Sequence, residues 1–385
     1  MMEKTLNAVL RLVRSALCCE PAVLPEPLDL EQVAQLAVLH QIEALVYDGA
    51  IRSGISKQEP AMKQLFQAYC RAAVRSDLQL ENLNTLYRSF DAAKIDYLPL
   101  KGCIMKGLYP KAELRAMNDA DILIRVEQYD AIKPLLEKLE YRFLAESDCE
   151  LKWRTKGLYL ELHKRLIPSF VKDFYAYFGD GWQLAVPAQG SRYEMSREDE
   201  FLFLFTHFAR HYREGGVGIR HMADIWYYRL KTPELKSGVV EDVLKKMSLD
   251  TFYHNILKTL ENWFEGGEQT QITEKITEYI ANSGSFGTHE TKVLADGLRK
   301  GGRRKNVCRL LFPPLDDMQY SYPVLRKCPA LLPAMWIYRG GRLALFGRDR
   351  IKRQQERLGT METEKMDAFE KSLRDVGLGL EFEVD

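Results

Sequence analysis

No run of about 18 apolar residues occurs in the 385-residue chain, so no membrane span is expected. Net charge is almost absent. Fifty-five Lys and Arg against 54 Asp and Glu leave +1, which excludes a global attraction for nucleic acid and leaves only local patches to hold a polyanion. The seven cysteines are odd in number and form no C-x-x-C pair. Neither a disulfide framework nor a zinc knuckle is signalled, and reduced thiols in a cytoplasm are the expectation. The first residues, Met1-Met2-Glu3-Lys4-Thr5-Leu6, lack the apolar core of a signal peptide. Internal repeats are also missing.

What is present is enough apolar material, 46% of residues, for two domains with real cores. Residues 1–90 read as helical. Leu6, Val9, Leu10, Val13 and Leu17 recur at helical spacing, and Pro60 opens a long helix toward Phe90 with a polar gap at Ser76 and Gln79. The pattern changes at Ile95. Short apolar runs at 97–100, 119–125 and 141–144, a hairpin of 151–155 and 158–163 turning at Lys156-Gly157, and a helix over 128–139 predict an α+β unit of about five strands across 91–170. Helices return after Pro168, giving a helical region 171–300. An irregular and helical C-terminal region, 301–385, ends in a charged, solvated helix.

Chemistry concentrates in the α+β unit. Asp119 and Asp121 are two residues apart, so on a strand both carboxylates share one face while Ala120, Ile122 and Ile124 face a core. In the hairpin, Leu158, Leu160 and Leu162 are expected inside, with Tyr159, Glu161 and His163 opposite. If the two strands are neighbours, Asp119, Asp121 and Glu161 converge. Three hard oxygen ligands suit Mg²⁺ or Mn²⁺, and paired metals suit phosphoryl chemistry. The plainer reading of the two aspartates is a solvated strand edge, but Asp is disfavoured in strands and two on one face repel.

Leu100-Lys101-Gly102, Leu108-Tyr109-Pro110, Arg115, Asp119-Ala120-Asp121 and Glu161-Leu162-His163 together resemble the DNA-polymerase-β-like nucleotidyltransferase superfamily. They are most similar to its bacterial branch of uncharacterised nucleotidyltransferases. The resemblance covers residues 85–230 well, including His207-Phe208-Ala209-Arg210-His211 and Gly218 to Asp224. It implies a small polymerase-β-like mixed sheet flanked by helical regions, and a two-metal transfer of a nucleoside monophosphate from a nucleoside triphosphate to an acceptor hydroxyl. Asp119 and Asp121 would hold the ions, and Glu161 would complete the second site or take the proton. Lys101 and Gly102 would position phosphates, with Arg115 and His163 beside them. The acceptor stays open: a small molecule, a protein hydroxyl or an RNA end. The chain departs from the wider superfamily at Lys101-Gly102, where Gly-Gly or Gly-Ser is usual, and at Glu161, where Asp is commoner. Those departures keep two alternatives in view, a nucleotide-binding or protein-interaction module without turnover and a toxin- or antitoxin-type transferase.

Other candidates have plainer readings. His207 and His211 lie one helical turn apart, but Phe208 stands where a zinc protease needs Glu, so a buried helix contact is expected. Arg220 and Asp224 have i,i+4 spacing and are expected to pair. The basic run 299–305 reads as a solvated loop, or as a contact for a nucleic acid or an acidic partner.

Overall fold

The computed structural model describes residues 2–299, 311–346 and 362–379, apart from 170, 286, 316–317, 319–321 and 323. Four helices lead: α1 (Met2–Cys18), α2 (Leu30–His40), α3 (Glu43–Arg52) and the long α4 (Pro60–Ala93). Asp29 caps α2 by accepting from the Gln32 amide, and Pro60 fills the first turn of α4, where its missing N–H costs nothing.

The α+β unit follows as β1 (Tyr97–Pro99), α5 (Gly102–Leu108), β2 (Ala120–Ile124), α6 (Tyr129–Lys138), β3 (Arg142–Glu146), β4 (Glu150–Thr155) and β5 (Leu158–His163). The five strands form one mixed sheet in the order β1-β2-β5-β4-β3. Only β2 and β5 run parallel, with Asp121 opposite Glu161 and Leu123 opposite His163. The sheet is two-faced by simple alternation. Ile122, Ile124, Leu151, Trp153, Leu160 and Leu162 pack in one core with Leu83, Leu86 and Phe90 of α4 and Ile132 and Leu136 of α6. Asp121, Glu150, Lys152, Glu161 and His163 fall on the other face, along the wall of a cleft.

After β5 the chain is less purely helical than its sequence suggests. Between α7 (Lys172–Phe178) and α8 (Arg197–Arg213) lies a two-stranded ribbon, β6 (Ala185–Pro187) and β7 (Tyr193–Met195). These strands are too short to show a period. They are held by tertiary contacts: the Arg125 guanidinium lies 4.1 Å from the Trp182 ring centre and 5.6 Å from that of Tyr193. Helices α9 (Ile219–Lys231), α10 (Ser237–Lys246), α11 (Asp250–Leu260), α12 (Gln271–Ser283) and α13 (His289–Arg299) complete the second helical region. Its core is continuous with that of α1 to α3, so the segments 1–90 and 171–300 share one apolar interior.

The polar gap in α4 marks the place where the helix passes from one core to the other. Ser76 and Gln79 are buried there, Ser76 accepting from Lys106 Nζ at 2.8 Å and Gln79 donating to the Met117 carbonyl at 2.8 Å. Farther on are α14 (Leu332–Phe346) and α15 (Thr363–Asp375). The latter was expected to be solvated, yet Met366, Phe369 and Leu373 are buried in the large core, because they fall on one face of an otherwise charged helix that packs on α13. Of the basic run 299–305, only Arg299 lies within the described residues.

Candidate active site

Asp121 is the best-held carboxylate on the polar sheet face. Its Oδ1 accepts from Lys101 Nζ at 2.9 Å and meets His163 Nε2 at 2.8 Å, and its residue is 4% exposed. Burial alone would raise its pKa, but the Lys101 ammonium and the His163 hydrogen bond outweigh it and hold the carboxyl well below the usual range. Lys101 reaches Asp121 from the junction of β1 and α5, where it sits at φ 42°, a backbone region L-residues rarely adopt. Its Nζ also lies 5.8 Å from the Phe203 ring centre on α8.

Glu161 is next to Asp121 across the parallel pair, as the register dictates. Its Oε1 accepts from Lys152 Nζ at 2.7 Å, and the same lysine bridges to Glu150 at 2.9 Å. Burial and the charges of Glu150, Asp121 and Asp119 push Glu161 up despite the Lys152 hydrogen bond. Asp119 is also pushed up, first by burial and then by the charge of Asp121, against Lys101 and Arg220.

Asp121, Glu161 and His163 each offer a ligand atom, all within 4.8 Å of one another. The sequence pointed to Asp119 as the third member. Asp119 stands outside this trio because β2 begins at Ala120 and Asp119 lies on the bend before it. The trio suits a divalent cation, with two hard oxygens and one imidazole. Asp119 lines the same cleft.

Gly102 and Arg115 are in the cleft wall, and both contact protein groups. A Cβ at Gly102 would lie 2.8 Å from Arg115 Nη1 and 3.0 Å from the Met117 side chain, so the glycine makes room for a protein side chain. Arg115 is buried and paired with Asp224, Nη2 to Oδ2 at 2.8 Å and Nε to Oδ1 at 3.3 Å. Tyr109 donates to the same carboxylate at 2.8 Å. Asp224 is thus taken by Arg115 from another element, and the i,i+4 neighbour Arg220 donates to the Ala116 carbonyl instead, at 2.8 Å. Arg115 ties α9 to the segment leading into β2.

The cleft holds about 540 Å³ between the polar sheet face and helices α8 and α9. The sequence reading passed over two of its residues, Glu150 and Lys152. Lys152 and Glu150 alternate with buried Leu151 and Trp153, so the hairpin register could have placed them beside Glu161. Arg220 is 6% exposed with an unpartnered Nε, and no sequence signal marked it as facing the cleft. His207 and His211 stack edge-to-face at 4.3 Å between ring centres, and His221 lies 6.5 Å from His211. Burial and then neighbouring positive charge hold all three neutral, His211 down at about 3.

The arrangement joins carboxylates, cations and a strained lysine over one cleft, which is chemistry for a metal-bound polyanion. Among the described residues, no helix is long and apolar enough to cross a membrane. No curated protein matches the chain. Among solved structures, the solution structure of the antibiotic-resistance factor ANT(2'')-Ia aligns at 15% identity with a TM-score of 0.34, covering 50% of this chain and 99% of that one. Residues 26–265, more than half of the chain and the whole of the cleft except its Ser285 edge, match the family described as "Uncharacterised nucleotidyltransferase". The protein therefore belongs to the uncharacterised nucleotidyltransferase family.

Proposed function

We propose that the protein transfers a nucleoside monophosphate from a nucleoside triphosphate to an acceptor hydroxyl, in the cleft between the sheet and α8–α9. The observation that carries this reading is the parallel β2–β5 register, which sets Asp121 beside Glu161 and brings His163 into the same cluster. Family membership supports the reaction class.

In this reading Asp121, Glu161 and His163 would hold Mg²⁺ or Mn²⁺, with Asp119 in the same cleft. A divalent ion bound there would neutralise phosphate charge and make an acceptor hydroxyl more acidic. The chain's own residues do the rest. Lys101 Nζ, already inside the cleft, exchanges its contact with Asp121 for a phosphate oxygen. Arg220 offers its free Nε–H to the same polyanion. Asp119, raised by burial, accepts the hydroxyl proton on a carboxylate oxygen. Helices α8 and α9 cover the reacting groups, so the charges act with less screening than at an open surface.

A second reading, a nucleotide-binding module without turnover, draws on one specific feature. Lys101 and Lys152 already neutralise Asp121 and Glu161. In that reading the lysines replace the ions permanently.

Thermal shift with ATP, GTP, CTP and UTP, each with and without Mg²⁺ or Mn²⁺, tests both. The expected result is a metal-dependent rise for one nucleotide that Asp119→Asn/Asp121→Asn abolishes. No rise with any nucleotide at millimolar concentration would sink the transferase. A rise that needs no metal, without pyrophosphate release, would favour the module.

A further inference from the structure

Asn118, Asp119 and Glu161 border a second cavity as well as the cleft. This groove holds about 780 Å³ and runs between α4 and the β4–β5 hairpin. Its floor is built by tertiary contact: Gly157 at the hairpin turn has φ 89°, and a Cβ there would meet Leu78 Cβ at 3.2 Å. Asn82 Nδ2 donates to the Lys156 carbonyl at 3.2 Å and pins the turn to α4.

The groove's charge differs from that of the cleft. Away from the shared wall its charged lining is Arg71, Arg75 and Arg154, and none of these makes an ion pair among the described residues. Arg71 and Arg75 lie one turn apart on α4, and Arg154 lines the same groove from β4, 4.8 Å from the Tyr159 ring centre. Gln79 is 2% exposed, lines the groove, and leaves its Oε1 without a hydrogen-bond partner after Nε2 has bonded Met117. The groove therefore carries three guanidiniums along its walls, two from α4 and one from β4, and carboxylates on the wall it shares with the cleft.

We infer that this groove is the acceptor site and that it takes a phosphate-bearing small-molecule alcohol. The inference rests on the transferase reading for the reaction, and on the groove alone for the ligand. Three unpaired guanidiniums match a phosphate, which they can bind bidentately. The volume suits a single small molecule. A polynucleotide would need a basic track extending beyond it, which a chain of net charge +1 does not supply in bulk. With the phosphate anchored among the arginines, the alcohol's free hydroxyl reaches the shared wall. Its oxygen bonds to the α-phosphorus of the triphosphate. The bond from that phosphorus to the bridging oxygen breaks, pyrophosphate leaves with the electron pair, and the hydroxyl proton passes to Asp119.

The test uses the full chain and two probe pairs, glycerol 3-phosphate with glycerol and ribose 5-phosphate with ribose. Binding is measured calorimetrically with nucleotide absent, in the wild type and in Arg71→Ala/Arg154→Ala. Arg75→Glu serves as an independent charge reversal on the exposed face of α4. The expected result is that at least one phosphorylated probe binds roughly tenfold or more tighter than its alcohol, and that both variants lose at least that factor. Mg²⁺-nucleotide binding should change less than about twofold in the variants, on the same affinity scale. Equal binding of phosphorylated and neutral probes would overturn the inference. So would variants that bind the probes as the wild type does, or probes that compete with the nucleotide, since that would put the phosphate in the cleft. Failure of every nucleotide to bind would overturn the transferase reading alone, and is told apart because the probe measurement contains no nucleotide.

Discussion

At the scale of the residue, Lys101 combines two roles that pull in opposite directions. Its ammonium neutralises a buried Asp121, while its backbone sits at φ 42° and ψ −109°. Such conformations cost on the order of 1–3 kcal/mol in non-glycine residues. Lys101→Ala keeps the strain and loses the ion pair, whereas Lys101→Gly loses the pair but relieves the strain. The glycine variant should therefore be more stable than the alanine variant by about 1 kcal/mol or more in urea unfolding. Equal stabilities would show that the backbone is not strained there. Gly102 is constrained differently. Gly102→Ala pushes a methyl against Arg115 and Met117, an overpacking expected to cost about 1–3 kcal/mol. His211 supplies a pH test. The unfolded chain protonates it near pH ~6.5 and the folded chain only at about 3, so stability is complete above about pH 6.5 and falls as pH drops through that window. Between about pH 7.5 and 5, His211→Gln should lose less stability than the wild type. A parallel loss in both proteins would refute the neutral histidine.

At the scale of the element, the site depends on how β2 is delivered. The strand enters the sheet after the segment in which Arg115 pairs with Asp224 of α9. Asp224→Ala would strand a buried guanidinium, and losing one partner of a buried pair typically costs about 3–5 kcal/mol. Chemical denaturation should show a loss in that range, and a loss under about 1 kcal/mol would mean the pair is dispensable. The strands themselves were legible because one face is uniformly apolar: Ala120, Ile122 and Ile124, then Leu158, Leu160 and Leu162. That alternation gave the polar face of each strand but not their adjacency. The parallel neighbourhood of β2 and β5, with β3 and β4 to one side, comes from the sheet order and leaves no local trace. The ribbon of β6 and β7 was illegible for a related reason. Three residues per strand carry no period, and tertiary contacts select their conformation.

At the scale of the whole molecule, the helical segments on either side of the sheet unit share a core, and α15 adds to it. Phe369 is buried there, so Phe369→Ala should destabilise the protein by on the order of 3 kcal/mol. A thermal midpoint unchanged by that substitution would mean α15 is not docked in solution. Docking was hidden in the sequence because three apolar positions in a highly charged helix give a narrow stripe. The sequence by itself determined the α+β class, the near-neutral charge, the location of the sheet unit and the residue types of the candidate site. Periodicity and side-chain chemistry are local properties, and they survive in a linear string. Only the tertiary structure decided that His163 joins Asp121 and Glu161, that Arg115 is spent on Asp224, and that Asp119 stands between a cleft and a groove. Those facts depend on distances between residues far apart in the chain, set by sheet order and by the packing of α4, α8 and α9 around it.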